Sequence, residues 1–448
     1  MATAASPPVA APVPPAARDR LRRAAALAPV LAVVALLLVP GGADGGTGGT
    51  GTVADAASGL LVLICLVRVV RDGARPLTRT AAVVLGLPVL GICLAAITSN
   101  DPASSLPGVA RYVQVFVLVP AAVLLTVRDR RDFAVVAWAL VGLALLQGAV
   151  GVAQYLTGTG ASYRGEDIRA VGTFGATDVM GMATAVSYGL VAATGIALGS
   201  GPGRARTAAL VCTGLLFLPL VLSFSRGAWI ATVLACALQL LLAGPLRAVR
   251  VALAAGALGV VLVGGLGIGS EVVEERVASI TRVTAAPDQS VTDRYTMWAA
   301  AGEMWRAEPL TGVGLKGFPR YRDAHASVAL SSGGDTAGAG AGFHRQPLLS
   351  PHNMYLLVLS EQGLVGLLAL AGSWAALLAG ALRRRPGTAS GPGPGPGADC
   401  ALVATGLLVW QLVDFFYADI GGPSTVLMSV VLGLAARWSL AGVGVGRA

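Results

Sequence analysis

The chain has 448 residues, of which 55% are hydrophobic and 12% charged, with a mean hydropathy of +0.74. An average soluble domain is about 25% charged, so a water-soluble globule, a nucleic-acid-binding domain and a disordered chain are excluded together. A polytopic membrane protein remains, and the formal net charge of +9 then reads as basic residues gathered on one side of a bilayer.

Residues 1–17 are rich in Ala and Pro without periodicity, and Arg18, Arg20, Arg22 and Arg23 follow; 1–23 is expected to be a disordered cytoplasmic tail. The apolar run from Ala24 to Val39 is expected to be a retained first helix. The GGADGGTGGTGT segment after it offers no small-x-small site for signal cleavage. Apolar segments follow at about 53–70, 80–98, 108–127, 133–156, 176–198, 207–222, 228–243 and 247–268, and again at 352–382, 399–417 and 423–440. Each is near the ~20 residues a bilayer requires. The fold expected is therefore all-α and polytopic, with about twelve transmembrane helices.

The arginines orient it. With the N-terminus inside, the inside segments hold twenty arginines, whereas the short outside loops hold only Arg111, Arg164, Arg169 and Arg226. That asymmetry places both termini in the cytoplasm. The organisation expected is nine helices over 24–268, an external, partly helical loop at 269–351, and a tenth helix at 352–382. A cytoplasmic Gly/Pro linker at 383–398 and two helices with a short tail at 399–448 complete it. The five cysteines form no CxxC or Cys/His cluster, so neither a disulfide framework nor a zinc site follows. No DxD, HExxH or Walker sequence is present, and nothing demands a metal, nucleotide or other cofactor.

Ion pathways need ionisable groups near mid-bilayer, and here they are scarce. Asp178 lies near the start of its helix, and Asp414 and Asp419 lie at the outer end of theirs. The polar residues gather at the outer surface, which suits a reaction there. Arg226, in the tight connection SFSRG, is either an anion contact or an arginine snorkelling to head groups. Arg294 opens SVTDRYTMWAAAGEMWR, where Ser290 and Asp293 resemble a capping box and Arg294, Trp298 and Trp305 share a face. Such a helix either anchors at the membrane surface or presents its guanidinium to a lipid phosphate. His352 precedes an apolar helix, whose N-terminus disfavours imidazolium. It is either structural or a neutral general base for a hydroxyl nucleophile. PLTGVGLKGF (309–318) reads as a turn of close backbone approach, and Arg169 in RAVGTF as a further anion contact.

The order SRGAW, DRYTMWAAAGEMWRAEPLTGVGLKGF and SPHNMYLLVLSEQGLVGLL resembles the O-antigen ligase / O-antigen polymerase family of bacterial membrane glycosyltransferases, over a core of about 223–370. The resemblance implies a GT-C-type enzyme of the bacterial plasma membrane, with its site on the external face. It would move a glycan from undecaprenyl diphosphate to a hydroxyl of a glycan, lipid or protein acceptor, without a divalent metal and with inversion. It places the family's essential arginines on Arg226 and Arg294 and its histidine on His352. Arg169, Tyr295, Lys316 and Glu361 are the second-rank substrate contacts. The stretch GTFGATDVMG departs from the asparagine-containing pattern of many members, which leaves donor and acceptor recognition open. The competing reading is a multi-pass transporter or lipid-linked glycan flippase, which would tolerate loss of His352.

Overall fold

The computed structural model describes residues 15–40, 52–73, 77–99, 101–163, 166–259, 289–327, 330, 348–384, 395 and 397–441. The Gly-rich segment 41–51, the stretch 260–288 and most of the Gly/Pro linker lie outside the described residues, as does His344.

The first half of the chain forms α1 (Pro15–Leu36), α2 (Val53–Asp72), α3 (Arg79–Ile97), α4 (Pro102–Val113), α5 (Val119–Thr126) and α6 (Arg130–Thr157). It continues with α7 (Gly181–Leu198), α8 (Gly203–Leu222), α9 (Arg226–Ala243) and α10 (Pro245–Gly259). The large loop contributes α11 (Gln289–Ala307) and α12 (Phe318–His325), and the chain ends in α13 (Met354–Arg383), α14 (Ala398–Asp414) and α15 (Ser424–Ala436). Helix α1 begins at Pro15, so the Arg18–Arg23 stretch forms helix rather than the disordered tail expected for 1–23. Proline suits a first helical turn because its missing N–H has no partner there anyway.

Among the described residues, eight helical segments are long and apolar enough to cross a bilayer: 53–72, 79–97, 102–126, 130–157, 181–198, 203–222, 226–243 and 354–383. Arg23–Leu36 and Ser424–Leu440 are shorter apolar helices, and α14 has 17 residues. The expected all-α chain also carries one small antiparallel hairpin, Ala161–Tyr163 with Glu166–Arg169. The connection between α6 and α7 is long, and pairing satisfies its own backbone groups.

Contacts between loops separate into two ends. At one, Arg23 pairs with Asp129 at 2.9 Å, Arg130 with Asp399 at 2.9 Å, and Arg384 donates to Leu440 O at 3.2 Å. At the other, Arg111 pairs with Asp55, Arg320 with Asp101 at 3.1 Å, and Asp178 accepts from Ser424 N at 2.9 Å. Each of these pairs joins segments that the arginine distribution assigns to the same side. Between the ends, buried amides and hydroxyls tie helices together, as packing in lipid favours. Gln239 Nε2 donates to Val191 O and Leu402 O, both at 2.9 Å, and Trp410 Nε1 donates to Thr232 Oγ1 at 2.9 Å.

Helix α13 is interrupted at Gly363, whose φ of 62° and ψ of −165° are non-helical and belong to a region essentially reserved for glycine. The break frees backbone groups that a membrane environment cannot leave unpaired. The PLTGVG segment satisfies them: Val313 N donates to Ser360 O at 2.9 Å and Gly314 N to Glu361 O at 3.1 Å. In return, Leu364 N donates to Pro309 O at 2.9 Å and Val365 N to Leu310 O at 3.2 Å. The close backbone approach expected of the glycine turn is thus made to the broken helix.

Candidate functional site

Three non-glycine residues among those described have positive φ: Phe224 at 50°, Lys316 at 61° and His352 at 49°. Such backbone is costly for L-residues and concentrates at functional positions. Each of the three falls in one of the motifs singled out above: SFSRG, GLKGF and SPHNM.

The SFSRG turn is built from its serines. Ser223 Oγ donates to Leu220 O at 2.6 Å and accepts from Ser225 N at 3.3 Å, while Ser225 caps α9 by accepting from Ala228 N at 3.3 Å. Arg226 is the first residue of α9 and is exposed. A helix start favours a nearby anion through its dipole and its backbone N–H groups, so the arginine and the helix end can act on the same anion. Gly227 lies against Tyr417, whose Cβ would be 2.8 Å from any Cβ added at the glycine. The start of α9 therefore adjoins the loop between α14 and α15.

The same loop receives His352. Met354 N donates to Phe415 O at 2.8 Å and to Ala418 O at 3.1 Å, and Asn353 Nδ2 donates to Phe416 O at 3.2 Å. Asn353 also caps α13, accepting from Leu356 N at 3.0 Å. Asp419 lies on this loop near Ser350 and His352, both of which lower its pKa, and its Oδ2 is a buried acceptor without a hydrogen-bond partner among the described residues.

Arg294 is brought to this histidine by α11. Its buried face runs through Asp293, Met297, Ala300, Ala301 and Met304, so the helix packs into the protein rather than only lying on a membrane surface. One turn beyond Arg294, Trp298 Nε1 donates to Pro351 O at 2.9 Å, fixing the helix beside the SPHN turn. Burial pushes the His352 pKa below its ordinary 6.5; the Asp419 carboxylate opposes that and the Arg294 charge adds to it. The ring is therefore neutral near pH 7. Asp419 is pushed up by burial, against the lowering pull of His352, Ser350 and Lys316.

The second-rank residues are placed as follows. Arg169 Nε donates to Ser223 O at 3.1 Å, supporting the turn that carries Arg226. Tyr295 is 56% exposed and meets the Trp298 ring edge-on, with centroids 5.6 Å apart. Glu361 is 2% exposed and accepts from Phe318 N at 3.2 Å, holding the start of α12 against the broken helix. Lys316 is exposed beside it. Among the described residues no cluster of three or more His, Cys, Asp or Glu could hold a metal.

Two contributors had no assigned role in the sequence. In the sequence Asp419 reads only as an acid at an outer helix end, and Asp178 only as one near a helix start. Asp178 links the 172–178 turn to Ser424 N, and burial raises its carboxyl to about 6. Their position at the outer end was the available signal.

A bundle of apolar helices with an Arg–His–Asp cluster at one polar end defines the class as a membrane protein. Residues 211–371 match the family model described as O-Antigen ligase, which bears out the resemblance read from the motifs. A domain of this kind implies a glycosyltransferase-like enzyme acting on lipid-linked glycan. The matched segment runs from α8 into α13 and contains Arg226, Arg294, Lys316, His352 and Glu361; Asp178 and Asp419 lie outside it. No curated protein sequence matches the chain.

Proposed function

We propose that the protein transfers a glycan from an undecaprenyl-diphosphate-linked donor to an acceptor hydroxyl at the external face of the plasma membrane. Twelve spans and cytoplasmic termini would place the site there. The observation that carries this reading is the setting of His352: a strained backbone at the start of α13, tied to the 415–418 loop and to the helix that carries Arg294, inside the matched segment.

The chemistry follows from that setting. His352 takes the proton of the acceptor hydroxyl as its oxygen attacks the anomeric carbon. The glycosidic C–O bond to the phosphate breaks on the opposite side, so the anomeric configuration inverts. Negative charge grows on the departing diphosphate, and Arg226 and Arg294 stabilise it in the role a divalent metal plays elsewhere. The Asp419 charge favours the imidazolium as it forms.

The test is a reconstituted reaction in nanodiscs with a polyprenyl-diphosphate-linked oligosaccharide and a candidate acceptor, followed by release of undecaprenyl diphosphate. Release that persists in EDTA and disappears with His352→Ala supports the proposal. Turnover that needs a divalent metal, or an active His352→Ala enzyme, contradicts it.

A further inference from the structure

Lys316 is the one lysine among the 32 basic residues of the chain. It occupies a β-turn closed by Gly317 N donating to Gly314 O at 3.0 Å, and its φ is 61°. A positive φ at the third position of a β-turn favours glycine, or failing that asparagine. An L-residue pays for that conformation, whereas glycine does not. This chain uses 60 glycines and puts them at 312, 314 and 317 of the same segment. The lysine at the intervening position puts an ammonium where glycine would be the unstrained choice.

The surroundings show where that side chain is held. The turn is docked by the backbone pairing of 313–314 with the α13 break, and the Phe318 N–H donates to the buried Glu361 carboxylate at 3.2 Å. Ser105 Oγ of α4 donates to Leu315 O at 3.3 Å. The Lys316 stem passes over Gly108 of α4, where an added Cβ would lie 3.2 Å from Lys316 Cγ. The backbone is thus fixed from two helices while the residue remains exposed. Its positive charge acts on the neighbouring Glu361 and on Asp419, and Asp419 in turn acts on the His352 imidazole. A rigid mount, an exposed ammonium and a site of charge separation describe a phosphate ligand. Ammonium is a compact point charge that binds phosphate oxygens without the geometric demands of a guanidinium fork.

We infer that Lys316 is a binding residue for the diphosphate of the lipid-linked donor, a third cation beside Arg226 and Arg294, mounted on the turn that plugs the broken helix. This rests on the donor chemistry proposed above. Because the contact is made to the diphosphate in the ground state, its loss weakens donor binding more than it slows the chemical step.

The test uses the full-length protein in nanodiscs, with undecaprenyl diphosphate lacking a glycan as the probe and undecaprenyl monophosphate and inorganic pyrophosphate as comparison ligands. Lys316→Gly removes the ammonium and relieves the backbone, so it folds at least as well as the natural protein. Lys316→Arg keeps the charge. The expected result is a Kd for undecaprenyl diphosphate at least tenfold weaker in Lys316→Gly, within about threefold of the natural value in Lys316→Arg, and unchanged in His352→Ala. A charge-assisted contact of about 1.5–3 kcal/mol corresponds to a loss of roughly ten- to a hundredfold. Equal affinity of the natural protein and Lys316→Gly overturns the assignment while leaving the enzyme reading intact. Failure of the natural protein to bind undecaprenyl diphosphate overturns both. Tighter binding of pyrophosphate than of the lipid would assign the turn to a free anion and contradict the inference.

Discussion

Asp419 and His352 act on each other's charge, across a gap in sequence that contains two helices, α13 and α14. The SPHN turn, with its strained histidine, is tied through Met354 N and Asn353 Nδ2 to the loop that carries this carboxylate, beyond the segment that matches the ligase family. That carboxylate and Arg294 act on the imidazole in opposite directions, which makes the histidine's titration a readout of the site.

Activity requires neutral His352, so it is lost as pH falls through a pKa that lies below 6.5. Arg294 lowers that pKa; replacing it with glutamine moves the acid limb of the pH–rate profile to higher pH. Asp419 raises it, and Asp419→Asn moves the limb to lower pH. Initial rates between pH 4.5 and 8 measure both, and shifts in the same direction contradict the arrangement.

Arg226 is the first residue of α9. Arg226→Ala is expected to reduce kcat by about 10²–10³-fold, the usual cost of removing a donor to developing charge. Its melting temperature should change little, because the residue is exposed. A variant that loses activity only in proportion to lost stability would point to a structural arginine.

Asp178 has its carboxyl raised to about 6 by burial. The folded state therefore binds its proton more tightly than the unfolded chain does, and the associated stability is lost as pH rises from about 4 to about 6. Asparagine keeps an acceptor for Ser424 N without the charge. The melting temperature of Asp178→Asn relative to the natural protein should rise from pH 5 to pH 7.5 in detergent micelles. A relative fall over that interval would contradict a buried, reluctantly ionised carboxyl.

Gly363 supplies backbone geometry that other residues reach only with strain, and Leu310 and Thr311 pack on it. Gly363→Ala is expected to cost on the order of 1–3 kcal/mol from the backbone alone. It should also unseat the 309–314 pairing. Hydrogen exchange at Val313 and Gly314 reads this directly: faster exchange there, with the α6–α7 core unchanged, is the expected pattern. Unaltered protection at those amides would mean the pairing does not depend on the break.

Much of this was legible in the sequence. Apolar runs and their arginine flanks place the helices, because lipid imposes a length and a charge asymmetry on each span. Arg226, Arg294 and His352 stand out because they are rare polar groups at helix ends. The break at Gly363 was not visible: SEQGLVGLL reads as continuous apolar helix, and a lone glycine in such a run is unremarkable. The strain at Phe224, Lys316 and His352 was equally hidden, since no local signal marks a positive φ in a non-glycine residue. Asp419 and Asp178 acquire meaning only when the loop between α14 and α15 folds back onto the SPHN turn and the 172–178 turn. That is a tertiary contact no periodicity encodes.

The central claim is transfer of a lipid-linked glycan by a histidine-dependent enzyme. The most direct measurement is the amount of polyprenyl-diphosphate-linked glycan in cells lacking the gene, by mass spectrometry, with rescue by the natural protein or by His352→Ala expressed at equal level. The account predicts that donor accumulates on the external face and that only the natural protein clears it, with appearance of the glycosylated acceptor. Full rescue by His352→Ala would contradict it and favour a carrier of lipid-linked glycan over an enzyme.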